Sequence, residues 1–343
     1  MTSHLQRIGE AYTLFERAMN GDFRAKAEVR ESLTTSDFPV LLGQSFQRKL
    51  LAQYQLLSPV WQQYSTRVTV PNFKKQRLLD ILGGRRGLSP IPEGTEYPAR
   101  DVEDAVEYDF RVGKFGDRIG LSWEMLINDE LGAFRTLDRT LADDAVYTEG
   151  TVTTDALLNS ARNDLNTSFF GTVANDALTA DSLRAAIEAL SSKRNAAGQT
   201  LVRPELRLVV APGLRFLAEE LVASVEVRTT NGNRTTVARN PLAGLVQVVE
   251  EPNLLRNTNA KANSTWLLLP APGSVRPALV TGFLQGHETP DLRVKNDQGL
   301  RPGGGAVSAG EGSFDDDTIQ YRVRHVVGSA LIDNTFTYAS RGA

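Results

Sequence analysis

Residues 74–100, KKQRLLDILGGRRGLSPIPEGTEYPAR, decide how the rest of the chain is read. They hold Gly83-Gly84-Arg85-Arg86-Gly87 and then Pro90, Pro92, Gly94 and Pro98. That density of breakers excludes a helix or a buried strand through the middle. Yet period-two alternation brackets the stretch, with Val68 and Val70 before it and Val106, Tyr108, Phe110 and Val112 after it. The pattern predicts a long two-stranded ribbon with an irregular tip. Such a ribbon is barely stable alone and leaves unpaired edges. It needs a partner surface, and a neighbouring copy of the chain is the natural one. Lys74 and Lys75 with Arg85 and Arg86 form the one basic cluster; we read it as ion-pair material for that neighbour, with plain solvated charge as the alternative.

Upstream, Leu41, Leu42, Phe46, Leu50 and Leu51 fall at helical spacing behind a Ser36 or Asp37 cap, and the helix stops before Ser58-Pro59. Earlier still, Leu5, Ile8, Tyr12, Phe15 and Met19 recur every three or four residues. This predicts an amphipathic N-terminal helix or helix pair that must pack on something, its own domain or a neighbour.

Downstream, Ile119 and Leu121 continue the alternation, and Ser122 is placed to cap a short helix over 123–127. Asp129 and Glu130 open a longer one, their charges suited to its N-terminus. It runs patchily to Leu157 and Leu158, with a kink expected near Gly150. A further helix is expected from a Thr179 cap through Leu183, Ala186, Ile187 and Leu190. From residue 201 the texture becomes strand and helix by turns: a strand at 206–211, a helix after Pro212-Gly213, a polar loop at 229–236, and strands at 246–249 and 266–269. A glycine-rich loop at 297–317 leads to alternating Ile319, Tyr321 and Val323, and a strand-like run at 331–338.

Composition narrows the function. The 343 residues are 41% hydrophobic and 23% charged, an ordinary globular balance with room for about two domains. There is no cysteine, which excludes disulfides, a thiolate nucleophile and cysteine-held metals. The net charge of -3 shows no basic excess of the kind that grips nucleic acid. A signal-peptide pattern and an apolar run of the ~20 residues that cross a bilayer are both lacking, so a soluble protein is expected. The phosphate-binding loop, the nucleophile elbow and the zinc-binding His-Glu-x-x-His motif are missing too. Of three histidines, His325 sits in a strand-like run and His287 in a turn, neither at ligand spacing. Asp315-Asp316-Asp317 lacks the glycine and terminal glutamate of a calcium loop. No catalytic, cofactor-binding or metal residue is assigned.

Several stretches, in this order, resemble the HK97-like major capsid proteins of tailed phages, and within them the Mu-type major head subunits. They are DFPVLLG at 37–43, PEGTEY at 92–97, IGLSWEMLIND at 119–129, LVVAP at 208–212, GFLQG at 282–286 and RVRHVVG at 322–328. The resemblance implies an α+β fold: a peripheral domain with a long spine helix, an axial α/β domain and an extended β-hairpin loop. The peripheral domain would comprise 36–67, 119–200 and 313–343, the hairpin loop 68–118, and the axial domain 201–312, with 1–35 as an N-terminal helical arm.

The implied function is assembly into the icosahedral head shell around packaged double-stranded DNA, without sequence-specific binding, cofactor or membrane. Partners would be other copies in pentamers and hexamers, and scaffold, portal and decoration proteins. The place would be the virion capsid, assembled in the host cytoplasm. Inter-subunit contact candidates are Lys74, Lys75, Arg85, Arg86, Glu93, Glu96 and Tyr97. The alternatives are an encapsulin-type compartment of the same fold, and a hydrolase hidden in the α/β region.

Overall fold

The computed structural model describes residues 38–80, 91–96, 106–122, 137–194, 198, 200–223, 226–231, 234–295, 297, 299–300, 302 and 312–342, with isolated helical positions at Thr13, Arg17 and Arg24. The expected N-terminal helices, the 123–127 helix, the start of the following helix and the triple glycine at 303–305 lie outside the described residues. The chain divides into two compact units. One gathers residues 1–58, 113–148 and 285–327, the other 59–112, 149–284 and 328–343.

In the first unit, helix α1 (Phe38–Leu56) packs beside a small antiparallel sheet. The long strand β13 (Thr318–Leu331), of which residues 318–327 belong to this unit, is its axis. It pairs with β5 (Arg118–Ser122) and β4 (Gly113–Phe115), and through Tyr321 to Arg324 with β12 (Asp291–Val294). Gly116 allows this approach, since a Cβ there would run into the backbone of Val323. The apolar centre is Leu50, Leu141 and Ala142, ringed by Tyr54, Leu57, Ile119, Leu292 and Val323. Gln47 clamps α1 to the sheet with both ends of its amide: Nε2 donates to Pro290 O at 2.9 Å, and Oε1 accepts from Leu292 N at 2.7 Å.

The second unit holds a four-stranded sheet in the order β14–β10–β6–β9: β14 (Tyr338–Ser340), β10 (Trp266–Pro270), β6 (Leu206–Val210) and β9 (Val246–Glu250). β6 and β9 are parallel, and the other pairs antiparallel. β10 is buried along its whole length, which explains its unbroken apolar sequence. Helices α4 (Ala180–Ser191) and α5 (Arg215–Ala223) lay their apolar faces on this sheet. Leu183, Ala186, Ile187, Leu190, Ala218 and Val222 meet Leu206, Leu208, Val246 and Val248 in one core. Thr179 caps α4 as its sequence predicts, accepting from Ser182 N at 3.1 Å while Ser182 Oγ accepts from Thr179 N. β1 (Thr66–Val70) runs parallel to β11 (Leu279–Leu284), and β2 (Gln76–Asp80) pairs with β3 (Val106–Phe110).

Three expectations need correction: the start of the ribbon, the polar loop at 229–236 and the run at 331–338. Val68 and Val70 belong to β1 and pair with β11, so the ribbon ladder starts only at Gln76. Asn72 makes the break, its Oδ1 accepting from Lys74 N and Gln76 Nε2. Helix α2 (Leu137–Leu157) continues through Gly150 as one helix. There the missing side chain leaves room for Asn253, whose Nδ2 would lie 2.9 Å from a Cβ. The polar loop at 229–236 is a hairpin of β7 (Glu226–Asn231) and β8 (Arg234–Arg239). The run at 331–338 is mostly a turn, set by Asp333 Oδ1 accepting from Thr335 N at 2.7 Å, and only β14 follows. A further element, the short helix α3 (Thr167–Phe170), had no sequence expectation.

Candidate functional site

The ribbon β2–β3 is the surface feature that the sequence singles out. Its ladder joins Gln76 to Phe110 and Asp80 to Val106. Among the described residues this two-stranded sheet pairs with no other strand. Its root is fixed by Phe110, which is 1% exposed and packs over Gly282 of β11. Gly328 gives a second close approach, its α-carbon facing Arg111 O and Val112. Lys75 lies at this root and is exposed, its Nζ 2.5 Å from Asp109 Oδ2. Lys74 is exposed beside it, and so is Phe73. Farther along, Glu93 and Glu96 are exposed around a turn in which Thr95 N and Oγ1 both donate to Pro92 O and Gly94 has φ +80°. Arg85, Arg86 and Tyr97 lie outside the described residues. An exposed pair such as Lys75–Asp109 adds little to stability, so its value is charge displayed on the outside.

A second constellation, unforeseen from the sequence, is buried. Trp61 Nε1 donates to Glu149 Oε2 at 2.9 Å. Tyr64 Oη donates to Glu251 Oε2 at 2.8 Å and lies 3.2 Å from Thr154 Oγ1. Glu251 Oε1 accepts from both nitrogens of Asn253. Thr281 Oγ1 shares hydrogen bonds with Ser65 Oγ at 2.8 Å and Thr153 Oγ1 at 3.0 Å. Burial pushes the Glu251 carboxyl above its ordinary value, and burial together with the Glu251 charge pushes the Tyr64 phenol up. Trp61, Tyr64, Glu149 and Glu251 are each at most 1% exposed. Such burial does not present these groups to bulk solvent. Satisfied hydrogen bonds in a low dielectric instead fix the elements that carry them. The one sequence signal was the placing of Glu250-Glu251 between VQVV and PNLL, an acidic pair inside an apolar stretch.

His325 and the acidic run at 315–317 take part in local packing and turn contacts. His325 is buried in β13 with its ring edge-on to Tyr54, centroids 5.9 Å apart. Asp316 accepts from Ser313 Oγ and from Thr318 N and Oγ1, which closes a turn and draws its carboxyl below the ordinary value. Among the described residues no group of three or more His, Cys, Asp or Glu is placed to hold a metal, and no helix is long and apolar enough to cross a membrane.

Comparison with known proteins adds what this geometry lacks. The sequence model of a family described as phage capsid protein matches residues 106–340. The chain matches no curated protein sequence. Among solved structures it is similar to a chain of the bacteriophage PhiM1 mature capsid, at 13% identity over 84% of this chain and 88% of that one, TM-score 0.47. It is similar to the capsid of the native GTA particle at 13% identity over 83% and 90%, TM-score 0.47. The SrpI encapsulin of Synechococcus elongatus PCC 7942 matches at 11% identity over 83% and 88%, TM-score 0.43.

Proposed function

Because the chain belongs to the phage capsid protein family, we propose that it is the major head subunit, self-assembling into an icosahedral shell of pentamers and hexamers around double-stranded DNA. The family match over residues 106–340 is the observation that carries this reading. A capsid protein has a structural role and its place is the virion. The order of elements supports an HK97-like arrangement: a ribbon that is two-stranded among the described residues, a long helix, then an α/β sheet unit and a closing strand. Within it we assign 36–67, 119–200 and 313–343 to the peripheral domain with α2 in the spine, 68–118 to the extended loop, 201–312 to the axial domain and 1–35 to an arm. The stretches that resemble the Mu-type major head subunits support assigning it to that subgroup.

Closed rings of heterologous contacts build such shells, and the ribbon is suited to one half of the contact. Among the described residues its two edges lack strand partners, and its root presents Lys74 and Lys75 while residues 91–96 present Glu93 and Glu96. We assign these, with Arg85, Arg86 and Tyr97, to contacts with adjacent copies. Scaffold, portal and decoration proteins are the further partners, and assembly belongs to the host cytoplasm. DNA would be enclosed without being gripped, as the net charge of -3 suits. The test is electron microscopy and light scattering of the purified chain. Rings, tubes or closed shells support the subunit reading, and a chain that stays monomeric with and without its partner head proteins overturns it.

A further inference from the structure

Among the described residues the four-stranded sheet of the second unit ends at β9, whose Val246 and Val248 are buried and whose Gln247 is exposed. Among the described residues β9 pairs only with β6, in parallel register from Leu206↔Val246 to Val210↔Glu250. The amides can be assigned to sides. Glu251 N donates to Val210 O at 2.9 Å, and successive amides in a strand alternate. The N–H groups of Gln247 and Val249 therefore face β6 as well, and those of Val246, Val248 and Glu250 face away from it.

That edge opens into a cleft of about 580 Å³, whose lining includes Gly244, Leu245 and Gln247 at β9, Glu205 beside β6, and Arg215 and Glu219 of α5. Its charges are balanced in pairs: Arg215 Nη2 is 2.8 Å from Glu219 Oε1, and Glu205 Oε1 is 2.6 Å from Arg207 Nη1. The cleft is apolar at Leu245, which is 40% exposed, and α5 next to Arg215 carries Phe216, which is 89% exposed. Open edges and bare aromatics promote uncontrolled association unless something covers them.

We propose that this edge is a strand-addition site whose occupant is an extended segment of a second copy of the chain. The paired charges leave no net positive charge to hold a polyanion, and charged walls do not suit lipid. Main-chain donors beside an apolar side chain and a neutral amide are what an added β-strand needs. The occupant is a copy because the family is one of capsid proteins, so this inference rests on the shell-subunit reading; it adds a contact on the sheet unit, separate from the ribbon.

The experiment is hydrogen–deuterium exchange at single-amide resolution on the full chain, dissociated and assembled. On assembly the amides of Val246, Val248 and Glu250 should slow by on the order of 100-fold or more, while those of Gln247 and Val249, already held by β6, change little. The exposed-site variant Leu245→Asp should keep the monomer's melting temperature and raise the concentration needed for association by about tenfold. Association with unchanged exchange at the three outward amides would overturn the strand-addition site and leave the capsid reading standing. No association under any condition would overturn the capsid reading, and this proposal with it.

Discussion

The ring of Phe110 occupies the space where a side chain at position 282 would stand, so Gly282 of β11 and the last residue of β3 are in direct contact. Gly282 is also the register partner of Val68. One glycine thus lets the ribbon root, through Phe110, lie flat on the β1–β11 pair. A methyl group at 282 must push the ring or the strand aside. Gly282→Ala should therefore destabilise the chain by about 1–3 kcal/mol, and Phe110→Ala by about 3–5 kcal/mol through the cavity it leaves. Urea unfolding followed by tryptophan fluorescence measures both. Unchanged midpoints would show that the root is not packed as described.

The ribbon itself can be shortened without touching that root. Asp80 and Val106 face each other in the ladder, so a two-residue Asn-Gly turn can replace residues 81–105. The shortened chain should keep its helical and sheet circular dichroism and unfold cooperatively, yet fail to form particles. Shells of normal yield from this variant would contradict the role assigned to the loop.

Two carboxylates should give stability opposite dependences on pH. Burial raises the folded-state pKa of Glu251. Its contribution is thus most favourable below the unfolded value and is lost as pH rises through the folded one. Glu251→Gln, neutral throughout, should gain on the wild type between acid and neutral pH. Asp164 behaves the other way. Its oxygens take the Nε and Nη2 of Arg341 at 2.7 and 2.6 Å, and that hydrogen bonding lowers its pKa. Its contribution is present above the unfolded value and is lost as pH falls through the folded one. Asp164→Asn should cost about 1 kcal/mol at neutral pH and almost nothing in strong acid. Urea midpoints from acid to neutral pH measure both differences; parallel curves for wild type and variants would refute the assignments.

The reciprocal cap at α4 predicts a smaller loss. Thr179→Ala removes the acceptor for Ser182 N and should lower stability by about 1 kcal/mol, visible in thermal melts. Lys75→Glu, at an exposed pair, should change stability by less than about 1 kcal/mol while lowering particle yield.

Local patterns were readable from the residues, and distant partners were not. The α4 helix announced itself by a cap and four apolar residues at helical spacing, all of which are buried. β10 and β9 showed as short apolar runs. The β7–β8 hairpin was hidden because its threonines and arginines mask any alternation, although Asn231-Gly232 is a turn signal. The role of Gly150 was hidden because nothing local points to Asn253, the neighbour it makes room for. The buried network was invisible for the same reason: Trp61 and Glu149 are 88 positions apart, and Tyr64 and Glu251 are 187 apart. The root of the ribbon was placed too early, at Val68, because alternation alone cannot tell which strand a strand will join.

The most direct test of the central claim is negative-stain electron microscopy of the purified full chain, made alone and together with the other head proteins of its genome. Closed shells of uniform diameter, or rings of five or six copies, are the predicted result. A chain that remains a monomer in both preparations, at every concentration reached, would contradict the account.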